Sequence, residues 1–562
     1  MDNYYELGSY TRAITTTSPD AQLWFDRGLI WAYGYHHEEA VACFEKALSF
    51  DAECAMALWG IGYAVGPNYN RQWSDFDESE RSELLARSQE VVAAAISVAD
   101  NAAPVERALV NALRVRYPTD PSTDDFGPWN DAFADAMRQV YAEYPGDLDI
   151  AALFAEALMN RTPWQLWDLR TGRPADGADT LEAIEVLESA FDHLDGASTH
   201  PGLLHMYIHL MEMSPHPEKA LRAGDRLYGL VPDAGHLQHM ATHIDVLCGE
   251  YQNVVERNDA AIVADNKYLA RSGAVNFYTI YRCHNYHFKI YGAMFLGQFE
   301  PAMTAANDLA NGLTRDVLEP LADWLEAFVA MDQHVLIRFG KWEEIKTGKL
   351  PDDRELYSVT TALMRYAKGV AYAATGDIGA AEAEQQRFMQ AKAAVPETRM
   401  LFNNTCRDIL EVASAMLDGE IAYRRGEHDS AFKHLRSAIE LDDALPYDEP
   451  WAWMQPTRHA LGALLLEQGH TEEAEAVYRA DLGFDNTLSR AAQHPGNVWS
   501  LHGLHECLML RGATDEATII KQRLDIANAR ADVPIEASCF CRLEPTPLLV
   551  GKSLTAASPG GS

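Results

Sequence analysis

The chain has 562 residues, and its 46 Lys and Arg against 83 Asp and Glu give a formal net charge of −37. This length exceeds what one compact core organises, so several domains or a solenoid of repeats is expected, and a hydrophobic content of 48% excludes global disorder. The acidic surface repels nucleic acid and anionic membranes, so neither is expected as a partner.

Targeting features and cysteine usage favour a cytoplasmic protein. The sequence contains no run of about 18 apolar residues and no basic N-terminal segment followed by an apolar one, so neither a transmembrane helix nor a secretory signal is predicted. The eight cysteines are scattered without a CxxC pair, which is typical of a reducing compartment. Cys539 and Cys541 are alternate residues, which rarely form a disulfide, so we expect them to be structural or incidental.

The hydrophobic pattern is helical nearly throughout, with apolar residues recurring at intervals of three and four. Residues 21–54 match the consensus of the tetratricopeptide repeat (TPR), a pair of helices of about 34 residues. With Ala21 as position 1, the small and large residues that interlock the two helices are Trp24, Gly28, Ala40, Phe44 and Ala47.

Weaker copies of this repeat, separated by irregular loops, cover the rest of the chain. We therefore predict an all-α, TPR-like helical-hairpin superhelix, irregular and curled around a central cavity. The predicted organisation is N-terminal TPR-like helices in residues 1–120, a histidine-rich TPR-like core in 121–310, C-terminal TPR-like repeats in 311–545 and a disordered tail in 546–562.

Histidines concentrate in the middle of the chain and follow the repeat. Ten of the 20 lie between His193 and His287, and the pairs His205/His239 and His209/His243 each have the spacing of one TPR repeat. Positions 2, 5, 9, 12 and 13 of the first helix of a TPR repeat line the concave groove. The register of three consecutive repeats places eight residues at such positions: His205, His209, Glu212, His236, His239, His243, His284 and His287.

These seven histidines are predicted metal ligands. Side chains at i and i+4 of one helix can chelate one ion, and imidazole suits copper, iron, nickel and zinc. Seven histidines exceed the four ligands of one tetrahedral ion, so either two ions bind, or one binds and the other histidines orient ligands and move protons. Glu212, on the same face, is a candidate ligand or the catalytic general base.

A second set of residues is predicted to face the substrate. Asn68 and Tyr69 lie in the loop after the first groove helices, and His37 lies in a turn at a helix start. Two late histidines repeat the groove register at position 5, and a tryptophan falls at position 2: His459, His502 and Trp499. If the superhelix closes, the two histidines approach the histidine cluster from the opposite wall, and Trp499 is expected to stack on a ligand.

The chain resembles a family of long, atypical TPR proteins of bacteria and fungi. The resemblance is carried by residues 24–29 (WFDRGL), 37–40 (HEEA), 55–57 with 59–60 and 66–68, 205–209 (HMYIH), 214–218 (SPHPE), 235–240 (GHLQHM), 243–244, 284–285 and 287–288. It spans almost the whole chain. It implies the fold and the unity of the histidine motifs, and no particular reaction.

The predicted function is a histidine-ligated metalloenzyme that acts on a small molecule, with copper- or iron-dependent oxidoreductase chemistry favoured by the histidine-dominated ligand set. One alternative is a zinc-dependent hydrolase. Another is a non-catalytic TPR scaffold that binds a protein partner through its surface, for which a groove lined by Asn, Lys and Arg is expected.

Overall fold

The computed structural model describes residues 4–117 and 125–543. The tail predicted at 546–562 lies outside the described residues. Within them almost all regular structure is helical. The α-helices are α1 (Pro19–Tyr33), α2 (His37–Phe50), α3 (Ala55–Ala64), α4 (Glu78–Val98), α5 (Pro104–Leu113), α6 (Gly127–Glu143), α7 (Leu148–Met159), α8 (Thr180–His193), α9 (Pro201–Glu212), α10 (Leu221–Leu227), α11 (Gly235–His239), α12 (Ala241–Cys248), α13 (Tyr251–Ser272), α14 (Thr279–Leu296), α15 (Phe299–Gly312), α16 (Arg315–Leu318), α17 (Ala322–Leu325), α18 (Met331–Arg338), α19 (Trp342–Thr347), α20 (Ser358–Ala374), α21 (Ile378–Ala394), α22 (Cys406–Arg424), α23 (His428–Asp443), α24 (Thr457–Glu467), α25 (Thr471–Asp481), α26 (Val498–Leu510) and α27 (Thr514–Arg530).

Short 3-10 helices and two small hairpins complete the described structure. The hairpins pair β1 (Trp167–Asp168) with β2 (Arg173–Pro174) and β3 (Met400–Leu401) with β4 (Asn404–Thr405), both antiparallel. The 3-10 helices are Trp73–Asp75, Ala99–Asn101, Ala197–Thr199, Pro217–Ala220, Glu319–Leu321, Glu326–Ala330 and Arg490–Ala492.

The chain divides into two compact units. Of the described residues, the first comprises 4–117, 125–248, 256–285 and 489–491, and the second comprises 249–255, 286–488 and 492–543. In both units helices that follow one another in sequence pack together, as α1 does with α2 in the first unit and as α20 to α27 do in successive pairs in the second. Helices joined by such short turns form antiparallel hairpins. The predicted all-α, TPR-like class is confirmed.

Close glycine contacts interlock the hairpins. The ring of Phe44 on α2 lies against Gly28 on α1 and Gly60 on α3, where a Cβ atom would come within 2.6 Å of it at either position. The same arrangement occurs in the second unit, where the Tyr478 ring lies against Gly462 and Gly503. A Cβ atom built at these glycines would come within 2.5 Å and 2.2 Å of the ring. A large ring from one helix therefore fits between glycines of two neighbouring helices, as the TPR consensus predicts.

One pair of cysteines is oxidised. Cys539 and Cys541 are joined in a disulfide, with Cα atoms 5.2 Å apart, so the expectation that alternate residues would stay unpaired is wrong here. That Cα separation falls within the range a disulfide accommodates.

Among the described helices, none is both long and apolar enough to cross a bilayer.

Replacing Gly60 with Ala is expected to destabilise the first unit by about 1–3 kcal/mol, since the new methyl group overpacks the buried Phe44 ring. Thermal unfolding followed by circular dichroism measures the effect. Gly312→Ala on α15 is the control, because nothing lies within 4 Å of a Cβ atom built there. Equal melting temperatures for the two variants would contradict this account of the interlock.

Candidate metal centre

The histidine cluster lies in the first unit and is built on α9, α11, α12 and α14. Pro201 opens α9, and the ring of His200 caps the helix, because its Nδ1 accepts a hydrogen bond from Leu203 N–H at 3.1 Å. His200 Nε2 then donates to Asp149 Oδ1 at 3.2 Å. This fixed helix start sets the rotation of α9, so that His205 and His209, one turn apart, share a face.

The first group consists of His205, His209 and His236. One ring nitrogen from each lies within 4.8 Å of those of the other two, and all three side chains are buried. Within the described structure, Nε2 of His205, Nε2 of His209 and both ring nitrogens of His236 have no hydrogen-bond partner. Leaving a buried nitrogen unsatisfied costs about 1–3 kcal/mol, so a ligand bound to these atoms would remove that cost.

The second group consists of His239, His243 and His284, also buried and also within 4.8 Å of one another. The register predicts that His236, His239 and His243 share one helix, but the structure divides that helix at Met240 into α11 and α12. His243 N–H bonds to Met240 C=O at 3.2 Å, a tighter turn than the α-helix makes. His239 and His243 still face each other across it.

The two groups follow the repeat. Each takes an i, i+4 pair from positions 5 and 9 of one repeat and a third histidine from position 2 of the next repeat. The first pair, His205 and His209, is completed by His236, and the second, His239 and His243, by His284. The second group is thus the first one moved along by one repeat.

Oxygen acceptors hold the Nδ1 side of four rings. His205 Nδ1 donates to Tyr33 C=O at 2.6 Å, and His239 Nδ1 donates to Asn258 Oδ1 at 2.7 Å. The Asn258 amide is oriented by its Nδ2 donating to Thr242 Oγ1 at 3.3 Å. With the proton on Nδ1, Nε2 presents a lone pair, which is the arrangement found in metal-ligating histidines.

Glu212 links the two groups. Its Oε1 accepts from His209 Nδ1 at 2.9 Å and its Oε2 accepts from His243 Nδ1 at 2.8 Å. The carboxylate is buried, and each of its oxygens faces the side of an imidazole ring opposite to Nε2. Glu212 thus orients two imidazole rings and raises the basicity of their Nε2 atoms.

The most unusual contact in the cluster joins two Nε2 atoms. Those of His239 and His243 are 2.7 Å apart, and His284 Nε2 lies 3.3 Å from His243 Nε2. At 2.7 Å the two Nε2 atoms are at hydrogen-bond distance, so either one of them carries a proton or, with both Nδ1–H groups directed to an oxygen, their lone pairs face each other. In the second case a cation would relieve the repulsion. A proton would serve two nitrogens, and a metal ion could also take His284 Nε2.

Burial favours the neutral form of four of these rings. It lowers the pKa of His205 to about 3, and together with the charges of neighbouring histidines it lowers the pKa values of His209 and His236 well below their usual range. The pKa of His239 is lowered well below that range for the same reasons, burial being the larger cause. Neutral imidazole is the form that binds metal.

Aromatic rings cover the first group. Tyr35 lies 4.7 Å from His205 and 5.9 Å from both His209 and His236, measured between ring centroids. Tyr69 and Trp164 contact His209 at 4.9 and 5.9 Å, and Tyr281 contacts His236 at 4.7 Å. Tyr35 and Trp164 have φ values of 53° and 59°. A left-handed backbone at a large aromatic residue is strained, and such strain concentrates at functional sites.

A cavity of about 540 Å³ adjoins this aromatic cover. Tyr35 and Tyr281 form part of its wall, and His37 and Asn68 line it as well. Two of the predicted substrate residues therefore face a cavity in the first unit. Tyr69 is fully buried and packs between His209 and Trp164.

The remaining predicted residues belong to the second unit and to neither histidine group. His287 packs against Phe328 and Phe402, with ring centroids 5.4 and 6.3 Å away. His459 Nε2 donates to Asp481 Oδ2 at 3.0 Å, and Trp499 donates its indole N–H to Met294 C=O at 2.7 Å. His502 is buried beside Glu506.

The residues that support the histidine rings were not predicted from the sequence. Asn258, Tyr35 and Tyr281 lie outside the groove positions of the repeat register, and only their packing brings them to the rings. Tyr33, whose backbone carbonyl accepts from His205, falls at groove position 13 of the first repeat. One signal was available, since Tyr35 directly precedes the two histidines 36 and 37 in a turn that follows Gly34.

No protein-family model matches the chain, and no curated protein is similar to it. Among solved structures it is similar to a human IFIT1 dimer with PPP-AAAA, at 12% identity over 89% of each chain and a TM-score of 0.29. It is also similar to Naa15/Naa10 bound to HypK-THB, at 12% identity over 90% of this chain and 70% of that chain, with a TM-score of 0.21. At such TM-scores neither carries an argument about function. The sequence resemblance stands at the level of a TPR-like helical protein.

Buried neutral histidines make the metal-free protein sensitive to acid. Their pKa values are lowered in the folded state, so below about pH 6.5 the unfolded chain binds protons that the folded chain does not, and stability falls as pH falls. Each such histidine contributes up to about 1.4 kcal/mol per pH unit. We expect the stability of His236→Gln to depend less steeply on pH than that of the wild type between pH 6 and about 4.

Urea unfolding in the presence of a chelator, repeated across this pH range, measures the slope. His216→Gln is the control, because the His216 side chain is 62% exposed. A slope unchanged in His236→Gln would mean that this ring is already protonated in the folded protein.

Proposed function

We propose that this protein is a metalloenzyme whose two three-histidine groups each hold a transition-metal ion. The observation that carries the proposal is the convergence of Nε2 lone pairs, above all the 2.7 Å contact between His239 and His243 while their Nδ1 atoms are held by Asn258 and Glu212. Imidazole nitrogens with oriented tautomers are the donors that copper, iron and zinc accept.

Redox chemistry with copper or iron is the favoured reaction class. The two groups offer six histidines, and Glu212 lies behind the rings of His209 and His243 as a hydrogen-bond acceptor. A bound copper or iron pair would carry electrons from a small-molecule substrate to O₂, the oxidant. The chain's own residues would orient the ligands, exclude water behind the aromatic cover and present a cavity to the substrate. Zinc-dependent hydrolysis is the alternative within the same centre.

A protein-interaction scaffold is the second candidate, because TPR-like hairpins present extended binding surfaces. The metal content of protein purified without a histidine tag distinguishes the two functions. A scaffold needs no metal at the buried histidines, and its partners would remain bound after the histidines are replaced.

Elemental analysis of the untagged protein, reconstituted separately with Cu, Fe and Zn, tests the metal centre. We expect up to two ions per chain with the preferred metal. His239→Ala and His209→Ala should each remove about one ion, since they remove ligands from different groups. His216→Ala, at an exposed position, is the control. No uptake of any of the three metals would refute the proposal.

Replacing Glu212 with Gln tests the link between the groups. The amide has a single acceptor oxygen, so only one of His209 and His243 can keep its Nδ1–H bond. Metal affinity is expected to fall about 10–100-fold, while saturating metal still fills the sites. Competition with a chelator of known affinity gives the change. If saturating metal no longer fills the sites, Glu212 is a direct ligand instead.

A further inference from the structure

We infer that the cavity in the first unit is the substrate chamber of the metal centre and that it selects a small, planar aromatic molecule carrying a hydroxyl or amino hydrogen-bond donor. The role as substrate chamber rests on the proposed function. The binding preference can be tested without metal.

The position of the cavity is the first observation. Tyr35 and Tyr281 line it, and the same two rings contact the first histidine group, Tyr35 touching all three histidines and Tyr281 touching His236. A single layer of aromatic rings therefore separates the cavity from three candidate ligands. A volume of about 540 Å³ lies in the range of small-molecule sites.

The walls favour a flat ring. Phe76, Phe277 and Tyr278 line the cavity together with Tyr281. The guanidinium of Arg71 lies 4.0 Å from the centre of the Phe76 ring and 4.2 Å from that of Phe277, so this planar group stacks on one face of each ring and forms part of the wall. Planar walls of this kind pack against aromatic ligands by stacked and edge-to-face contacts.

His37 supplies the polar contact. Its Nε2 is buried and has no hydrogen-bond partner among the described residues, while hydrogen bonds to the backbone at Ala64 and Gly66 engage the ring. Burial, followed by the charge of Arg116, lowers the pKa of His37 to about 3, so the ring is neutral and offers a lone pair. A ligand O–H or N–H would satisfy this acceptor.

Charge at the cavity disfavours anions. Arg71 pairs with Glu80 at 3.1 Å, and Arg87 pairs with Glu45. The exposed carboxylates of Glu38 and Glu83 also line the cavity, so the local charge is acidic, as is the whole chain. A carboxylate on the ligand would be repelled, whereas a neutral phenol would not.

Three small probes test this selection: 4-methylphenol, its methyl ether 4-methylanisole, and 4-hydroxybenzoate. Binding is measured by isothermal titration calorimetry on the full chain, with and without reconstituted metal. We expect 4-methylphenol to bind with a Kd below about 1 mM, the ether to bind about tenfold more weakly, and the carboxylate to bind most weakly.

Two variants locate the binding. Val41→Trp should fill the cavity and abolish binding of 4-methylphenol, and His37→Phe should remove the preference for the phenol over its ether. Val263→Trp on α13 is the matched control, since Val263 is 59% exposed and does not line the cavity. Circular dichroism shows that each variant is folded.

The outcomes distinguish the inferred binding chamber from the proposed metalloenzyme. Four results would each overturn the inference, whatever the metal content. Two concern the wild type with the neutral probes: no binding of 4-methylphenol, or equal affinity for the phenol and the ether. The other two are tightest binding of 4-hydroxybenzoate and unchanged binding in Val41→Trp. If instead the phenol binds as expected but no metal is taken up, the chamber stands as a binding site and the proposed metalloenzyme fails.

Discussion

The cluster depends on one buried carboxylate that accepts hydrogen bonds from two imidazoles. Glu212 holds His209 at 2.9 Å and His243 at 2.8 Å through opposite oxygens, and these rings belong to different groups. An unpaired charge at this depth would be strongly destabilising, so the two Nδ1–H donors are what allow Glu212 to be buried. The carboxylate also holds the proton of both rings on Nδ1. The Nε2 lone pairs of His209 and His243 therefore point away from Glu212.

Helical packing supplies the rest of the geometry. Small residues allow close approach, as where Phe44 lies against Gly28 and Gly60, and this closeness gives the helices a definite spacing and rotation. The strained turn at Tyr35 adds a side chain that no regular helix would present, placed directly over three histidines. The first group therefore has rigidly held imidazole rings on the helix side and an aromatic cover on the other.

Sequence periodicity predicted the TPR-like fold and six histidines that the structure gathers into two groups, because helix register determines which side chains share a face. It could not separate His287 from His284, since residues three apart on a helix share a face and only packing decides what that face meets. For His287 the neighbours are Phe328 and Phe402. Asn258 and Tyr35 escaped prediction because their roles arise from contacts between distant segments and from a backbone conformation rare for tyrosine.

The translation of one histidine group onto the next has a consequence for how such a centre can arise. A single hairpin with histidines at positions 5 and 9 places only two imidazole rings side by side. A histidine at position 2 of the next hairpin completes a group of three at the junction. His205 and His239 are separated by one repeat, as are His209 and His243, which is the spacing that duplication of a hairpin produces. An array of this kind grows by whole three-histidine groups, so the number of groups follows from the number of copied hairpins.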